Sequence, residues 1–100
     1  MSSVSSILNQ REGQYGPYSK VAWLSQSLKR LTGLISGTSD IRCYHKLSDV
    51  QREALEMIIS KIARIAVGDP NHVDSWDDIA GYATLAANQT RKDIENAERD

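Results

Sequence analysis

Ser48-Asp-Val-Gln-Arg-Glu-Ala-Leu-Glu-Met-Ile-Ile-Ser-Lys-Ile-Ala-Arg-Ile-Ala-Val-Gly-Asp-Pro70 is the stretch that decides the fold. Ser48 followed three residues later by Gln51 is a capping box. The serine accepts from the N3 amide and the glutamine reaches back to the cap. The spacing predicts a helix to about Val67, where Gly68 supplies a left-handed C-cap and Pro70 forbids continuation. Leu55, Ile58, Ile59, Ile62, Ile65 and Ala66 form an apolar face broad enough for a central core helix.

Downstream, Asp74 or Ser75 caps a further helix running to about Ala97, with a buried face of Trp76, Ile79, Ala80, Ala83, Ala86, Ala87 and Ile94. The alanines permit close approach to a neighbouring helix. Residues 92–100 read as a solvated tail. Upstream, a helix from about Ser19 to Leu34 carries Val21, Leu24, Leu28, Leu31 and Ile35 at core spacing, with Trp23 off that stripe. A short helix from about Ser3 to Glu12 precedes it and ends at Gly13. Between these two, Gly16 and Pro17 break the chain. Their flanking Tyr15 and Tyr18 act either as a turn plug or as the mouth of a ligand site. Ser36 to Leu47 is a connector without period. A loop this long in a small domain is either mobile or functional. The expected architecture is all-α: one domain over residues 1–100, a small bundle of three main helices plus a short N-terminal helix.

Composition narrows the function classes. One hundred residues, 40% hydrophobic and 25% charged, suit one globular domain. A net charge of −1 argues against a general DNA-coating role. The small patch of Arg42, Tyr44, His45 and Lys46 is a weak signal for contact with nucleic acid or with a partner protein. The single cysteine, Cys43, permits no disulfide within the chain, which suits a reducing compartment. No signal peptide and no apolar run of about 20 residues is present, so a soluble intracellular protein without membrane contact is expected. His45 and His72 lack partners at zinc spacing.

Chemistry concentrates in Lys61-Ile-Ala-Arg-Ile65 and Asp74-Ser-Trp-Asp-Asp-Ile-Ala-Gly-Tyr-Ala83. Projection at about 100° per residue puts Lys61 just inside the apolar face and Arg64 on the same edge as Met57 and Glu53. Asp74, Asp78 and Tyr82 share one flank of the next helix. An antiparallel hairpin brings the cations to the carboxylates. One reading is helix-end salt bridges, since acids suit a first turn and bases a last turn. The other is a ligand site with Lys61 and Arg64 on phosphate, Asp74 and Asp78 holding metal or orienting those cations, and Trp76 or Tyr82 against a base. Gly81, costly inside a helix, then marks close helix approach or room for the ligand. Glu53-Ala-Leu-Glu56 and Asp74-Ser-Trp-Asp77 are two acid-x-x-acid pairs that, facing one another, would hold Mg²⁺ or Mn²⁺.

Arg11-Glu-Gly-Gln-Tyr-Gly16, Lys61-Ile-Ala-Arg64, Gly68-Asp-Pro70 and the Asp74–Ala83 run resemble an uncharacterised domain family found mostly in tailed bacteriophages. The resemblance implies a small accessory protein in the cytoplasm of an infected bacterium. A more distant likeness is to the MazG-type all-α nucleotide pyrophosphohydrolases, in which such acid pairs bind magnesium and a nucleoside triphosphate. Glu53 and Glu56 match the first pair, Asp74 and Asp77 the second. Aspartate at 74 and the lack of flanking glutamates depart from that pattern and set binding without turnover beside hydrolysis. The expected function is a nucleotide- or phosphate-ligand-binding module. The alternatives are a module that inhibits a host enzyme or defence complex, and a homo-oligomer paired through the alanine-rich helix.

Overall fold

The computed structural model describes residues 2–34 and 46–99. They form four helices: α1 Ser2–Tyr15, α2 Tyr18–Leu31, α3 Asp49–Val67 and α4 Val73–Arg99. The described residues contain no strand, and the all-α reading holds. The connector, with Ile35, Cys43 and His45, falls mostly outside the described residues.

The capping box forms at the start of α3. Gln51 N–H donates to Ser48 Oγ at 3.1 Å, and Ser48 N–H donates to Gln51 Oε1 at 3.0 Å. The same glutamine then donates from Nε2 to Thr90 Oγ1 on α4 at 2.9 Å. One residue thus closes a helix end and pins a neighbouring helix. At the other end of the hairpin, Lys61 Nζ meets Asp78 Oδ2 at 2.9 Å. Position 51 opposite 90 and 61 opposite 78 fix α3 and α4 as antiparallel.

Several helix ends differ from the sequence reading, each for a local reason. The first helix runs through Gly13, at the modest cost of one helical glycine. The break falls instead at Gly16, which has φ +80, followed by Pro17. A Cβ at Gly16 would lie 2.6 Å from Val67 Cγ1 and 2.8 Å from the Val67 carbonyl oxygen. Only glycine lets this turn sit against the end of α3.

Helix α2 stops at Leu31 rather than Leu34. Gly33, at φ +78, donates to the Arg30 carbonyl and Leu34 N–H to the Lys29 carbonyl, a Schellman closure. That turn drives Leu34 inward to 2% exposure, and Arg52 donates to its carbonyl oxygen at 2.6 Å. Gly68 does end α3 but at φ −102, so it is not a left-handed cap. The chain leaves through an Asp69 turn in which Oδ1 accepts from Asn71 N–H. Helix α4 begins at Val73, one residue before the expected cap, and stays helical through the exposed tail to Arg99.

Helix α3 is central. Helices α2 and α4 pack on opposite flanks of it, and neither leans appreciably on the other. The result is an open layer of three helices, with α1 loosely attached at the α2–α3 end. Among the described residues the buried apolar ones are few: Val21, Leu34, Ala54, Ile59 and Ala63. The molecule is elongated, 58 × 29 × 25 Å, with a radius of gyration of 16.5 Å against about 13 Å for a compact chain of this length.

Candidate functional site

The open layer has two faces. Antiparallel packing and the helical repeat of about 100° per residue assign the side chains between them. One face carries Lys61, Arg64, Asp74 and Asp78. The other carries Leu55, Ile62, Trp76, Ala83 and Ile94.

On the charged face, Lys61 lies along the α3–α4 seam with its side chain 12% exposed, while Asp78 is 46% exposed. The lysine stem is largely covered along the seam, and its ammonium is paired with one carboxylate. This pair is the helix-hairpin ion pair foreseen as one of two readings. Asp74 is exposed and Tyr82 half-buried on the same flank. Arg64 turns towards α2 instead. There it lines a shallow groove of about 200 Å³ with Tyr18, Gln26, Lys29, Ser25 and Ser60. Ser25 and Ser60 face each other across the helices at 3.4 Å, and Ser60 Oγ donates to the Glu56 carbonyl at 3.1 Å. Tyr18 is 81% exposed, so it plugs nothing and stands at the edge of this groove.

Trp76 does not join the charged cluster. It lies on the apolar face, and its indole N–H donates to the Pro70 carbonyl oxygen at 2.8 Å. The expected acid pairs also stay apart. From the register, Asp77 sits roughly 10 Å along the helix axes from the level of Glu56, and Asp74 roughly 20 Å from Glu53. Carboxylates sharing one divalent ion must converge within a single coordination shell. No group of three acidic, His or Cys side chains suited to a metal occurs among the described residues. Gly81 does not mark a close helix approach: it is exposed, and a Cβ there would meet nothing within 4 Å.

The arrangement therefore gathers Arg64, Lys29, Gln26 and Tyr18 on the α2–α3 groove over a hydrogen-bonded Ser25–Ser60 pair, with the Lys61–Asp78 ion pair on the next seam. The sequence reading found Arg64 and missed Lys29, Gln26 and Ser60. The available signal was on α2, where Ala22, Gln26 and Lys29 recur at helical spacing beside the core stripe.

No described helix is long and apolar enough to cross a membrane. No curated protein and no solved structure matches the chain. A family model does match, over residues 1–90, and by it the chain belongs to DUF6378, a domain family of unknown function.

Proposed function

We propose that this protein is a small module that binds a phosphorylated ligand of the nucleotide class at the α2–α3 groove. The observation that supports it is the placing of Arg64 and Lys29 on one groove with the Ser25 and Ser60 hydroxyls. A guanidinium fork and an ammonium suit phosphate oxygens. The groove is smaller than the usual small-molecule site of roughly 300–1,000 Å³. It suits the phosphate end of a ligand, with Tyr18 beside it for a base to stack on. The separated acid pairs favour binding without turnover over Mg²⁺- or Mn²⁺-dependent hydrolysis. A setting in the cytoplasm of a phage-infected bacterium belongs to this proposal and rests on the sequence resemblance.

A thermal-shift panel of inorganic phosphate, pyrophosphate and nucleoside mono-, di- and triphosphates, with and without Mg²⁺, tests it. Ligand at about 100 times its dissociation constant adds about 2.7 kcal/mol of stability. The shift is expected to vanish in Arg64→Gln and to persist in Asp78→Asn. Loss in Asp78→Asn alone would return the ligand to the α3–α4 seam. A flat panel would remove the binding reading. The second reading, a module that blocks a host enzyme or defence complex, is favoured by the broad exposed apolar face of α3 and α4. Inhibition of a purified host enzyme at equimolar concentration would establish it.

A further inference from the structure

The net charge of −1 conceals a division between the two flanks of α3. Helix α2 carries Lys20, Lys29 and Arg30 and no carboxylate. Helix α4, on the far flank, carries six acidic and three basic residues. The cations of α2 are therefore a local field that the overall charge does not report, and they rule in a confined anionic partner rather than general coating of DNA.

Two aromatic rings stand among these cations. Trp23 is 67% exposed and Tyr18 81% exposed. Helix α2 buries Val21 and Ser25 against α3 and leaves both rings in water. At about 100° per residue its remaining surface divides into two stripes. Tyr18, Ala22 and Lys29 face the groove, with Arg64 across it. Lys20, Trp23, Ser27 and Arg30 follow one another at spacings of three, four and three on the outer side. Arg30 Nη2 donates to Ser27 Oγ at 3.4 Å, which lays the guanidinium back along the helix towards Trp23. Each stripe sets a ring in line with cations. From Tyr18 to Arg30 they extend about 18 Å along the helix axis, more than one nucleotide fills.

We infer that the outer surface of α2 continues the groove as a track for single-stranded nucleic acid, so that the phosphorylated ligand is a polynucleotide rather than a free nucleotide. The inference rests on the phosphate-binding reading of the groove. Lys20, Lys29, Arg30 and Arg64 meet backbone phosphates, and Tyr18 and Trp23 each carry a stacked base. Charge complementarity by itself also suits an acidic protein. The rings favour nucleic acid, because every base has a flat face to lay on them and a carboxylate side chain has none. They favour a single strand over a duplex, whose bases stay stacked inside the helix.

Fluorescence anisotropy of a labelled oligothymidylate of about twelve nucleotides tests this on the full chain. The strand is expected to bind at least about tenfold more tightly than thymidine monophosphate, because it engages both stripes. Between about 50 and 200 mM salt its affinity is expected to fall with a log–log slope of about −2 to −3, as three or four phosphate contacts on a single strand require. Trp23→Ala, at an exposed position, is expected to weaken the strand about 5- to 150-fold. Arg30→Gln is expected to reduce the slope by about 0.7. Pyrophosphate reads the groove separately: its thermal shift is expected to be lost in Arg64→Gln and kept in Trp23→Ala. A strand that binds no more tightly than the monophosphate, or that ignores both Trp23→Ala and Arg30→Gln, overturns the inference while a pyrophosphate shift leaves the groove reading standing. Strand binding that survives Arg64→Gln unchanged also overturns it, since the track would not pass through the groove. Polyglutamate that displaces the strand as well as unlabelled oligothymidylate does overturns it too, and gives the surface to an acidic protein.

Discussion

The two faces of the α3–α4 hairpin are built from the same two helices and behave in opposite ways. On one, Lys61 is nearly covered and satisfied by Asp78. On the other, Ile62, its sequence neighbour, is 42% exposed, with Trp76 open near its level on α4. The polar side is closed within the chain and the apolar side is not. Hydrophobic burial ordinarily runs the other way. The chain's internal contacts satisfy its seam and leave one apolar face open to water.

The largest expected effect contrasts Ile59 with Ile62, three residues apart on α3. Ile59 is 7% exposed, so Ile59→Ala should cost about 2–4 kcal/mol in denaturant unfolding at every protein concentration. Ile62→Ala, at a position already 42% exposed, should cost about 1 kcal/mol or less. Equal losses at both positions would erase the distinction between the faces.

Next comes the seam. Asp78→Asn should cost about 1–2 kcal/mol, between the values for exposed and buried pairs, because it removes the carboxylate paired with a largely covered lysine. Lys61→Met should cost less, since Asp78 is open enough to hydrate. Chemical denaturation of both variants reads the asymmetry, and a larger loss in Lys61→Met would show that the carboxylate is the worse-solvated partner.

Ser48→Ala should remove about 1 kcal/mol, seen as a fall of several degrees in melting temperature. It opens one half of the capping box and loosens Gln51, which also bridges to Thr90. The smallest effect has the opposite sign. Gly81→Ala, into open space on α4, should stabilise by up to about 1 kcal/mol. A loss there would mean that something not in this chain occupies the space beside Gly81.

Much of the fold was legible because its signals are local. Ser48 and Gln51 lie within one turn, and the capping box depends on little else. The stop of α2 was missed because Leu31 and Leu34 prolong the apolar period through Gly33, and the glycine's positive φ outweighs that pattern. Gly68 was read as a left-handed cap from its place before Pro70, whereas the Asp69 side chain organises the exit in another conformation. At the site, Lys61 and Asp78 follow from two helix projections and an antiparallel turn. Arg64 required knowing on which flank α2 would lie, which no projection of α3 supplies.

The sequence by itself determined the helices, most of their ends and the antiparallel hairpin, because caps, glycines and apolar periods act over a few residues. Tertiary structure alone decided the rest. It placed α2 and α4 on opposite flanks of α3, sent Arg64 into a groove with Lys29, held the two acid pairs at different levels and turned Trp76 to the apolar face. Each of these depends on which flank of a helix meets a neighbour, and an amphipathic helix with apolar residues on several sides can be packed from more than one of them.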